Sequence, residues 1–149
     1  SMADNFTKGM ARNIYYGGSV FFFLLLMGLT FDTMLELPKR DHRENITEAV
    51  AHGKELWENN NCVGCHSIMG EGAYYAPELG NVFVRYGNGS EETFEAFMQS
   101  WMAMQPLKVP NRRQMPQFNL SEEEVHSLSQ FLIWTSRVNN NDWPPNKQG

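Results

Sequence analysis

The five residues Cys62-Val63-Gly64-Cys65-His66 constrain this chain more than any other stretch. Two thiols three positions apart, with an imidazole directly behind them, have the spacing of covalent c-type haem attachment. Each thiol can form a thioether to one haem vinyl group, and His66 is then held over the iron as its proximal ligand. A redox Cys-x-x-Cys pair or half of a zinc site would use the same two cysteines. The histidine that follows and the lack of a second Cys pair weigh against both. No other cysteine exists in the chain, so no disulfide framework is available.

The second constraint lies upstream. Ile14–Phe31, "IYYGGSVFFFLLLMGLTF", carries no charge, and as a helix it would span about 27 Å, close to the hydrocarbon thickness of a bilayer. A buried core helix would show a polar stripe. A cleaved signal peptide would have a shorter apolar run and a small-residue cleavage site, whereas "TFDTMLEL" follows here. The segment therefore reads as a retained membrane anchor. Lys8 and Arg12 precede it, and Asp32 and Glu36 follow it. The positive-inside rule then puts the N-terminus in the cytoplasm and the bulk of the chain outside. Gly17, Gly18 and Ser19 would either let a second helix approach closely or simply tolerate lipid. A net charge of −5 argues against a phosphate-binding surface, so no nucleic-acid partner is expected.

"LPKRDHREN" is a short polar linker, after which helical periodicity begins. Thr47 can cap a helix whose Ala49, Val50, Gly53, Leu56 and Trp57 share one face. Gly53 inside it suggests that another helix crosses there. A further helix is expected in "SEETFEAFMQSWMAMQ", where Phe94, Phe97, Met98, Trp101 and Met102 have core spacing. The last helix opens at Ser121 with an S-x-x-E capping box to Glu124 and a staple between Leu120 and Val125. Its apolar face is Val125, Leu128, Phe131 and Leu132, expected to cross the first helix near Gly53 and Trp57. The haem fills the centre and no strand is required.

For the sixth iron ligand, His42, His52 and His126 read as linker or helix-surface histidines, and Met98 and Met102 as core. Met115 differs. It lies in "PNRRQMPQF", a loop flanked by Pro110 and Pro116 just before the last helix. Methionine–histidine ligation raises the iron's potential and closes both axial positions, which suits electron transfer rather than substrate binding. The tail with Trp143-Pro144-Pro145 reads equally well as docked or as a loose end. The expected organisation is an N-terminal segment and anchor over 1–37, a linker over 38–46, the haem domain over 47–137 and a tail over 138–149.

From Thr47 to Arg137 the pattern resembles class I cytochromes c, on Gly53 and Trp57, "CVGCH", "APEL" at Ala76–Leu79, Met115-Pro116 and "LSEEEVHSLSQFL". The expected fold class is thus all-α, a single transmembrane helix followed by a class I cytochrome c haem domain. In that family a proline after the haem motif offers its carbonyl to the proximal imidazole, and Pro77 matches it. With "GEGAYYAPELGNV", "RRQMPQFNLSEEEV" and "WPPNKQG" added, nearly the whole chain resembles the cytochrome c subunits of bacterial nitric oxide reductases. That resemblance implies a non-catalytic electron-transfer subunit on the periplasmic side of the bacterial inner membrane. It implies as partners a soluble cytochrome c or cupredoxin donor and a large catalytic membrane subunit, which carries haem b and non-haem iron and reduces NO to N2O. It also implies a calcium ion at the interface of the two subunits, with Gly72 and Tyr74 as oxygen donors. The alternative is an anchored shuttle serving a haem–copper oxidase or another reductase.

Overall fold

The computed structural model describes residues 5–145, in two compact units that divide between Lys39 and Arg40. The first is made by helix α1, Lys8–Arg40, up to Lys39, and none of the helix's residues is buried. Its most apolar window has a mean hydropathy of 1.8, so the helix is long and apolar enough to cross a membrane. A soluble chain would have to hide phenylalanines and leucines like these at roughly 25 cal/mol per Å²; lipid solvates them without that cost. The sequence suggests a break into linker at residue 38, but α1 runs through Pro38 to Arg40. Proline's missing N–H forfeits only one bond when it sits in the last turn. The Glu36–Lys39 ion pair, at 2.6 Å, closes that turn.

The second unit is built from α2 (Glu48–Asn59), α3 (Val82–Tyr86), α4 (Glu91–Ala103) and α5 (Glu122–Arg137). Each long helix starts on a hydroxyl that accepts a backbone N–H: Thr47 from Val50 at 3.3 Å, Ser90 from Thr93 at 3.2 Å and Ser121 from Glu124 at 3.2 Å. Glu124 returns the bond by accepting the Ser121 amide at 2.7 Å, which completes the expected capping box. The closest packing is α2 on α5. A Cβ on Gly53 would collide with the Ser127 carbonyl oxygen and stand 2.7 Å from Phe131 Cβ. No side chain fits there, so the glycine permits the crossing.

Val50 and Trp57 from α2 meet Val125, Leu128, Phe131, Leu132 and Ile133 from α5 in one core, closed by Phe94, Met98 and Met102 of α4. At the surface, α4 is tied to α5 by Arg137 on Glu91 at 2.6 Å and His126 on Glu95 at 2.9 Å. His126 is thus a paired surface residue. One feature departs from the all-helical expectation: a minimal antiparallel ladder, β1 (Ser67–Ile68) on β2 (Glu71–Gly72), pairs Ser67 with Gly72 and Ile68 with Glu71.

Candidate functional site

Between α2, α4 and α5 lies an apolar cleft of about 170 Å³, walled by Leu56, Trp57, Leu79, Val82, Phe97, Trp101, Phe118, Leu120, Leu128 and Leu132. His66 and Met115 both line it, with Cys62 and Pro77. Met98 and Met102 line it as well, so these two serve as core and as wall at once. An apolar slot with an imidazole, thioethers and a thiol on its walls fits a haem. The ring would supply the apolar surface that the helices otherwise lack at their centre. Cys62 is half-buried while Cys65 is exposed. Burial pushes the Cys62 thiol up to about 11, so it is protonated at neutral pH.

The proximal side is built from local geometry. Asn61 takes a left-handed conformation (φ 51°), and a single 3-10 turn over Cys62–Gly64 follows. The His66 amide then bonds the Cys62 carbonyl at 2.9 Å, which turns the imidazole back toward the cleft. His66 Nδ1 lies 2.8 Å from the Pro77 carbonyl oxygen, so Nδ1–H donates and Nε2 keeps its lone pair free. Burial lowers the pKa of His66, only partly offset by that bond, and the ring is neutral as a metal ligand must be.

The loop that carries Pro77 is held by a residue that the sequence leaves unmarked. Glu78 is buried, 7 % exposed, and accepts the Gly70 amide at 2.7 Å on one carboxylate oxygen and the Gly80 amide on the other. Its carbonyl accepts the Arg85 guanidinium at 2.5 Å, and Arg85 also donates to Asn81 Oδ1 at 3.1 Å. Within "APEL" the proline carries the signal, and the glutamate looks like any loop carboxylate. Nothing in one sequence pairs it with glycines on both sides.

Gly72, at φ +125°, sits so close to the His66 carbonyl that a Cβ would collide with it. Tyr74 is 77 % exposed and donates its hydroxyl to the Gly70 carbonyl at 2.5 Å. The Trp143 indole packs over Gly70, so this residue docks on the loop. Gly72 and Tyr74 therefore lie together on an exposed loop. Among the described residues no group of three or more His, Cys, Asp or Glu is placed to hold a metal ion. Two loop oxygens cannot fill a calcium sphere of six to eight ligands; they fit a shared site only.

Met115, which also lines the cleft, is half-buried on the long loop between α4 and α5. That loop is tied down by Gln117, whose amide donates to the carbonyls of Met102 at 3.1 Å and Gln105 at 2.9 Å.

A helical domain closed round a cleft with a histidine and a methionine on its walls defines a cytochrome c. The cytochrome c family model matches residues 50–136, and such a domain carries a covalently bound haem c. Relatives extend the likeness over the anchor too. The C subunit of nitric oxide reductase from Stutzerimonas stutzeri is 63 % identical, over 99 % of this chain and 100 % of its own length. The C subunits from Halomonas halodenitrificans and Paracoccus denitrificans are 49 % and 44 % identical over the same shares. The chain belongs to this family of nitric oxide reductase C subunits.

Proposed function

We propose that this chain is the electron-input subunit of a membrane nitric oxide reductase, taking electrons one at a time from a soluble periplasmic donor and passing them to haem b of a catalytic subunit. The observation that carries the reading is the apolar cleft lined by both His66 and Met115. A bound haem supplies a one-electron couple there. Cys62 and Cys65 would hold it covalently, His66 and Met115 would ligate its iron, and Pro77 would fix the imidazole plane and make it more basic. The apolar walls exclude water and favour the less charged, reduced state. An iron held by both His66 and Met115 would have no position left for NO, so reduction of two NO by two electrons and two protons to N2O and water would belong to the partner.

Lys8 and Arg12 before the apolar segment, and Asp32 and Glu36 after it, support a cytoplasmic N-terminus and a periplasmic haem domain in the bacterial inner membrane. The exposed Gly70–Tyr74 loop is the face for the catalytic subunit. Gly72 and Tyr74 offer oxygens to a calcium ion whose remaining ligands come from that subunit.

The test is purification of the intact chain from detergent-solubilised membranes. Co-purification with a multi-span haem b protein, and NO consumption by the pair only, is the expected result. A chain that purifies alone, fully haem-loaded, and that reduces an oxidase instead would refute it.

A further inference from the structure

The charges of the haem domain are sorted in space. Glu91, Glu92, Glu95, Glu122 and Glu123 gather round one depression between α4 and α5. Between Glu95 and Glu122, by contrast, the chain has no carboxylate at all and three cations, Lys108, Arg112 and Arg113. All three line a shallow depression on the loop that ends at Met115. Every residue from 106 to 114 is exposed. The same loop exposes Leu107 and Val109, and Met104 just before it, at 47 %, 38 % and 55 %. The Arg113 guanidinium stands 4.5 Å from the ring centroid of Tyr75, two residues before Pro77. This stack links the methionine loop to the histidine loop. The basic, partly apolar patch therefore adjoins Met115 along the chain and, through Tyr75, the loop of Pro77, and both of these residues line the cleft.

From this placement we infer that the 104–114 loop is the docking surface for the soluble electron donor, and that the donor presents an acidic rim round an apolar centre. The inference rests on the electron-input reading above and names the partner's chemistry. In a chain of net charge −5, a carboxylate-free patch of three cations attracts an anionic surface locally while the remainder of the domain repels it. Such a field orients the encounter as well as speeding it. The exposed aliphatic side chains give a dry contact that parts easily after one electron has moved from the donor to the ferric haem, with no proton or bond change.

The experiment uses the purified, haem-loaded complex and stopped-flow reduction of its haem c by a reduced acidic cupredoxin. For the unmodified complex the second-order rate should fall as salt rises. The triple variant Lys108→Glu/Arg112→Glu/Arg113→Glu should lose about tenfold or more at low salt, and its salt dependence should reverse sign. Its haem spectrum should be unchanged. Glu92→Lys, on the acidic side, should not slow the reaction. A triple variant that keeps its rate, or a Glu92→Lys variant that loses it, overturns the assignment. So does a triple variant that no longer co-purifies with the catalytic subunit, since the patch would then face that subunit. If the cupredoxin and a basic small cytochrome c both fail to reduce the unmodified complex while dithionite succeeds, the electron-input reading itself fails.

Discussion

The two loops that bring His66's partner Pro77 and Met115 to the cleft are held in different ways. The histidine loop, from Ser67 to Gly80, is cross-linked throughout: a two-rung ladder, a buried carboxylate on two amides, and the Leu79 amide on the Ser67 carbonyl at 2.8 Å. Among the described residues the methionine loop has no ladder and no buried charge. It hangs from the Gln117 and Gln105 side chains, the latter bonding the Trp101 carbonyl at 2.9 Å, and exposes most of its length. Charged acceptors hold amides about twice as strongly as neutral ones. The loop that carries Pro77 is thus held by more and stronger bonds than the loop that carries Met115, which leaves more of its surface exposed.

The contrast can be broken most severely at Met115. Met115→Ala should abolish the sulfur-to-iron charge-transfer band and lower the potential by a sizeable part of the roughly 0.8 V that axial ligands command. Survival of the band would move the ligand to Met98 or Met102, which share the cleft. Glu78→Gln comes next. Its amide cannot accept from both Gly70 and Gly80, so thermal unfolding should report about 1–3 kcal/mol lost. The charge-transfer band should persist, and the potential should rise as a negative charge leaves the haem's surroundings. An unchanged stability would mean that water holds those amides equally well.

Gln117→Ala removes neutral bonds only, and should cost about 1 kcal/mol with a slight broadening of the same band. A larger loss than at Glu78 would invert the proposed ranking of the two loops. Smallest is Trp143→Ala at the half-exposed tail. About 0.5 kcal/mol or less is expected in stability, with faster amide exchange confined to residues 70–74.

Much of this is legible without coordinates, and for identifiable reasons. Thr47, Ser121 and Glu124 act within one helical turn, so a local pattern suffices to read them. Gly53 is readable as a crossing because a glycine inside an amphipathic helix has few other uses. Glu78, Arg85 and Gln117 are not, since each acts by bonding backbone that is distant or irregular. Trp143 resists for the same reason: its contact with Gly70 joins the tail to a loop far back in the chain.

What the sequence determined by itself was the chemistry and the helices. Covalent haem attachment is written in five consecutive residues, the membrane segment in an uninterrupted apolar run, and the helix starts in their caps. All of these are short-range, and short-range physics is what a linear string records. Only the tertiary structure decided which thioethers reach the cleft, which carboxylate staples the histidine loop, and which carboxylates from α4 and α5 gather round one depression. Those outcomes depend on distances between residues tens of positions apart, which packing of α2 against α5 sets and which no local pattern contains.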